Sequence, residues 1–203
     1  MLITFITDIG DSAVLGAVVL AGVIYFFLSG YRIGAMALAV SLVLSGGLIS
    51  GFKLLFLGCN WFLPQHYDLH SPSGHAALST AVLGTCLLLV FPRLSRAQKI
   101  MLTASCTLLV AAIAASRVVI GAHTLPEVLL GLVAGGITLA CVYGFLHYMR
   151  RRMLETPPEF NVGVFAFLVV CVVMVLNGVH LPAENYIRAM AYYLGHNVHA
   201  CMQ

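Results

Sequence analysis

Charge is what this sequence has least of. Asp, Glu, Lys and Arg make up 8% of its 203 residues, against roughly 25% in soluble domains. Hydrophobic residues make up 61%, and the mean hydropathy is +1.02. Water could not hold so much apolar surface folded, so the expected solvent is lipid. The net charge of +3 is too small a field to point to nucleic acid. Low-complexity tracts, repeats and a soluble second domain are lacking too, which leaves one membrane-embedded domain over 1–203. The opening MLITFITDIGD has no basic n-region and carries Asp8 and Asp11 instead. The first apolar segment is therefore expected to be retained as a span. No CxxC pair points to zinc. Cys86, Cys106, Cys141 and Cys171 sit inside apolar runs and read as small hydrophobes. Only Cys59 and Cys201 fall near polar segments, and a disulfide between them is the less favoured reading.

What is present is apolar length. Runs near the roughly 20 residues that cross a bilayer fall at about 12–29, 33–57, 74–91, 100–121, 125–148 and 163–180. Short connections predict an all-α, polytopic bundle of six transmembrane helices. Gly47-xxx-Gly51 and Gly131-xxx-Gly135 are read as packing positions where helices approach closely. With six spans, Arg32, Arg93, Arg96, Lys99, Arg150, Arg151 and Arg152 share one face, against Lys53, Arg117 and Arg188 on the other. Seven against three places the first face in the cytoplasm and both termini outside. In 184–199, Ile187, Met190, Ala191, Leu194 and Val198 recur at near-helical spacing with tyrosines around them. That predicts an amphipathic helix at the outer interface, read as an anchor in preference to a roof over a lipid entrance.

The scarce polar groups converge on the outer face. Lys53 ends the second span, Ser73, Gly74 and His75 open the third, Ser116 and Arg117 end the fourth, and His123 and Glu127 open the fifth. Ionisable residues at such places are costly and tend to be functional, although each alone also reads as an interfacial cap. In SPSGH, residues 71–75, a helix N-terminus offers unpaired N–H groups and about half a positive charge to an anion. Gly74 lets that anion approach, and His75 can donate a proton from the first turn. The same stretch also reads as a plain helix start. In SRVVIGAHTLPEV, residues 116–128, Arg117 and His123 can face each other across the Gly121 break. His123 and Glu127 are one turn apart on one face, and Pro126 suits a helix start. A carboxylate so placed can orient the imidazole and leave its other nitrogen nucleophilic.

These residues resemble the membrane branch of the type-2 phosphatidic acid phosphatase family, whose active-site fold is shared with vanadium haloperoxidases. The family's Pro-Ser-Gly-His stands intact as Pro72-Ser73-Gly74-His75. Its Ser-Arg, five residues, His, three residues, Asp appears as Ser116-Arg117, His123 and Glu127, with Glu replacing Asp. Its Lys, six residues, Arg-Pro keeps Lys53 but has Asn60 and Trp61 at the later places, which removes a bidentate phosphate clamp. TDIGDSAVL resembles the polar segment before a helix in many members.

The resemblance implies a lipid phosphatase of a bacterial inner membrane, acting at its outer leaflet on a lipid phosphate or diphosphate. It implies His123 as nucleophile, Glu127 as its orienter and His75 as acid and then base. Lys53, Arg117, Ser73 and Gly74 would bind the phosphoryl oxygens, with Asn60 donating a neutral hydrogen bond. Because protein cations neutralise the phosphate, neither a metal nor another cofactor is expected. A lipid phosphotransferase and a non-catalytic lipid-phosphate binder are the alternatives, and a homo-oligomer is left open. His66, Asp68 and His70 form an H-x-D-x-H array, read as a polar rim in preference to a metal site. His147 reads as interfacial, and His180, His196 and His199 have no assigned role.

Overall fold

The computed structural model describes residues 2–58, 71–153 and 160–180, and of the tail 185–187, 189, 190 and 193. Among these all regular structure is helical. The helices are α1 (Leu2–Ile9), α2 (Ser12–Leu28), α3 (Arg32–Gly58), α4 (Gly74–Val90), α5 (Arg96–Val119), α6 (Leu125–Met153) and α7 (Val162–Leu176). Each predicted apolar run is a helix, and α1 is an additional one that hydropathy did not suggest.

The boundaries move where polar chemistry sets them. α5 begins at Arg96, ahead of its apolar run, because Ser95 and Gln98 form a reciprocal capping box. α6 continues to Met153 through Arg150, Arg151 and Arg152, cations that suit a helix C-terminus. α7 starts where Asn161 accepts from the N–H groups of Gly163 and Val164. It ends before Gly178, whose φ of +87° turns the chain, so His180 lies outside the helix that was predicted to reach it. Of the tail helix, the described residues 185–187, 189, 190 and 193 are helical; the remainder of 184–199 lies outside the described residues.

Helices α3, α4, α5 and α6 are long and apolar enough to cross a membrane, and α1 with α2 makes a fifth candidate bent by 48°. α7 has 15 residues, about 22 Å at 1.5 Å per residue, against a hydrocarbon core of about 30 Å.

α4 sits at the centre, packed on α3, α5 and α6 and touching α2. At two glycines of α6 its contact is backbone to backbone. A Cβ on Gly131 would collide with the Ser73 carbonyl oxygen, and one on Gly135 would lie 2.6 Å from that of Ala77. This small-residue pair brings two helices together as expected. Gly47 and Gly51 do not: a Cβ there would meet no described atom within 4 Å, and both line an open apolar groove on α3. The helices alternate in direction, so the seven clustered cations gather at one end. There Arg93 lies over the Phe160 ring at 3.8 Å and Arg150 donates to the Tyr31 hydroxyl at 3.4 Å. An aromatic cluster of Tyr25, Phe26, Tyr31, Phe160 and Phe165 locks that end. The opposite end is polar and holds the predicted site.

Candidate active site

The third motif folds back on itself. After α5, Gly121 takes φ +69°, and the N–H groups of Ala122 and His123 both donate to the Arg117 carbonyl at 3.1 Å. The imidazole of His123 thus returns over the turn that carries Arg117. One turn into α6, Glu127 Oε2 lies 2.9 Å from His123 Nδ1. The same oxygen accepts from the Thr124 N–H at 3.1 Å, and Oε1 accepts from the Ser71 N–H at 2.8 Å. The Ser73 N–H donates to the Glu127 main-chain carbonyl at 3.0 Å. Glu127 is buried, and it ties the start of α6 to the loop before α4. With Nδ1 facing a carboxylate, that nitrogen carries the proton and Nε2 keeps its lone pair. Burial pushes the His123 pKa below the ordinary histidine value; the hydrogen bond and charge of Glu127 pull it back up, while Arg117 and Lys53 push it down. The net shift is downward, so the ring is neutral near pH 7.

Ser73 caps α4 with extended backbone, and Gly74 and His75 form its first turn. The Ser73 hydroxyl is fully buried and has no hydrogen-bond partner among the described residues. A buried polar group left so costs about 1–3 kcal/mol. Lys53 is buried too, 5% exposed, which excludes a side chain snorkelling to the interface. A cavity of about 450 Å³ gathers Lys53, Gly74, His75, Arg117 and His123 along its walls, with Asp11 among them. Ser116 is not on that wall. Its hydroxyl donates to the Ile113 carbonyl at 2.7 Å and therefore accepts from Thr7 Oγ1 at 2.6 Å, pinning α1 to α5. Asn60, Cys59, Cys201, His66, Asp68, His70, Arg188, His196 and His199 lie outside the described residues.

Two site residues escaped the sequence reading. Asp11 Oδ2 lies 3.6 Å from His75 Nε2 and 3.1 Å from His180 Nδ1. His180 Nε2 in turn lies 3.7 Å from Asp8 Oδ1. In sequence Asp11-Ser12 is an ordinary helix start, and no spacing links it to position 75 or 180.

The family model described as PAP2 superfamily matches residues 34–151, from α3 to the end of α6. The chain is 27% identical over 156 residues to an "Uncharacterized 22.5 kDa protein in cps region" of Klebsiella pneumoniae, covering 75% of this chain and 71% of that protein. No solved structure matches the chain.

Proposed function

The chain belongs to the PAP2 superfamily, and we propose that it is an integral membrane phosphatase hydrolysing a lipid phosphate or diphosphate at the outer face of a bacterial inner membrane. The observation that carries this reading is the His123–Glu127 pair, its carboxylate buried and its imidazole opening on one cavity with Lys53, Arg117, His75 and the N-terminus of α4. Two fixed cations and a helix end of about +0.5 charge balance a phosphate dianion. The unpartnered Ser73 hydroxyl offers a further donor at the same helix end.

In the proposed reaction, His123 Nε2 attacks phosphorus and forms an N–P bond as the P–O bond to the lipid breaks. His75 gives its proton to the departing oxygen. Water then attacks phosphorus, His75 takes the water's proton, and the N–P bond breaks to release phosphate. Glu127 holds the His123 tautomer throughout and stabilises the charge that develops on the ring. General acid–base help of this kind contributes roughly 10²–10⁴-fold, and fixed charges in a dry site contribute more. Protein cations meet the phosphoryl charge, so the reaction needs no divalent metal. The open apolar groove on α3, the helix that also carries Lys53, suits an acyl or prenyl chain. The shortfall of α7 does not exclude six spans: with six, the clustered cations face the cytoplasm and the cavity faces outward.

The test is phosphate release by the purified protein in detergent from a panel of lipid monophosphates and diphosphates, with EDTA and with added magnesium. Release of phosphate that EDTA does not abolish, with acid-labile phosphate trapped on the enzyme, is expected. Tight binding of the panel without release would overturn the enzyme reading in favour of a lipid-phosphate binder. Activity restored only by magnesium would overturn metal independence and direct attention to His66, Asp68 and His70.

A further inference from the structure

We infer that Asp11 is the positioning carboxylate of His75, held in place from the outer side by His180, so that each histidine of the site has its own acid. The inference rests on the phosphatase reading above and concerns residues outside the stretch 34–151 that the family model matches.

Asp11 divides its two oxygens between separate tasks. Oδ1 accepts from the Ala13 N–H at 2.8 Å and caps α2. Oδ2 faces two imidazoles, His75 Nε2 at 3.6 Å and His180 Nδ1 at 3.1 Å. The carboxylate is buried, 6% exposed, and a buried charge requires partners. Its place is built by packing. A Cβ on Gly10 would sit 2.6 Å from Ile113 Cγ2 and 3.4 Å from the His75 side chain. Only glycine lets the α1–α2 elbow press Asp11 this far in. On the other side, Asn177 donates from Nδ2 to the Phe5 carbonyl at 3.1 Å. Gly178 then turns the chain so that His180 spans Asp8 and Asp11. Among the described residues no three His, Cys, Asp or Glu form a group that could hold a metal ion; the cluster has one hydrogen bond, His180 to Asp11, and two longer charge contacts.

The charge balance gives Asp11 its use. His75 must carry a proton to act as the acid, and Lys53, Arg117 and His123 face it across the cavity. The two fixed cations work against that proton. Among the described residues lining the cavity Asp11 is the only carboxylate, and an anion beside an imidazolium stabilises its charge. Beyond it, His180 and Asp8 are the described residues of the cluster. Asp11 therefore does for the acid what Glu127 does for the nucleophile.

Asp11→Asn is the informative variant, because asparagine is as good a helix cap as aspartate; with its oxygen kept on the Ala13 N–H it replaces the anionic Oδ2 by a neutral amide donor. Release of the leaving group in a single turnover is compared for an alkyl phosphate, which needs an acid, and an aryl phosphate, which leaves with little help. The loss with the alkyl phosphate should exceed the loss with the aryl one by about tenfold or more, within the span of general acid catalysis. His180→Ala should show a weaker form of the same pattern, and His180→Gln, which keeps a donor toward Asp11, should recover most of it. Equal losses for both substrates, with no recovery in His180→Gln, would overturn the inference. His123→Ala runs alongside: if it still turns over, the phosphatase mechanism has failed; if it is dead while Asp11→Asn ignores the leaving group, this inference alone has failed.

Discussion

Two histidine–carboxylate pairs face one cavity, and they are built by opposite means. His123 and Glu127 lie one helical turn apart across the start of α6, and the carboxylate is held by backbone N–H groups of Thr124 and Ser71. Asp11 caps α2 in the α1–α2 elbow and His75 opens α4, with α2 and α3 between them, and the two meet only because Gly10 lets that elbow settle on α4 and α5. The first pair is short, at 2.9 Å, and the second longer, at 3.6 Å and shared with His180. A nucleophile must keep one tautomer and one direction, and a local pair fixes both. An acid that later serves as a base must let its proton go, and a looser pair permits this.

The largest expected effect separates the two histidines. His123→Ala should lower turnover on the order of 10⁴-fold or more, as loss of a nucleophile or its base does elsewhere, and should trap no acid-labile phosphate. His75→Ala should still form phosphoenzyme from an aryl phosphate and then hydrolyse it slowly, so that labelled protein accumulates. Accumulation in the first variant and not the second would reverse the assignment. Glu127→Gln comes next, with a loss of roughly 10²-fold or more, because the amide can present a donor to Nδ1 and favour the wrong tautomer. Glu127→Asp should recover much of that loss, measured as kcat with KM nearly constant. A smaller effect lies in pH. Burial holds His123 below the ordinary histidine value, so protonation of the nucleophile should quench activity only below about pH 6.5. Glu127 raises that pKa and Arg117 lowers it. Glu127→Gln should therefore move the acid limb to lower pH and Arg117→Met to higher pH, and opposite shifts would break the electrostatic picture.

The same contrast sets what was legible in the sequence. The helical class, the apolar segments and the His123–Glu127 pair follow from composition, run length and an i,i+4 spacing, all local quantities. The gathering of Lys53, Gly74, His75, Arg117 and His123 at one end follows from alternating helix directions. Helix starts were legible only where a polar cap could be read, and the Ser95–Gln98 box was hidden behind the hydropathy minimum. Asp11 and His180 were not legible, because their meeting depends on tertiary contacts, a bare Cα at Gly10 and a turn at Gly178. Gly47-xxx-Gly51 shows the converse: the spacing promises a partner helix, and the groove beside it is open.

The glycine seam between α4 and α6 has a mechanical consequence. With Gly131 against the Ser73 carbonyl and Gly135 against that of Ala77, the helices bearing the two halves of the chemistry form a stiff spine. They cannot spread apart without losing the contact that spaces His75 from His123. The α3 wall has no such seam on its groove side.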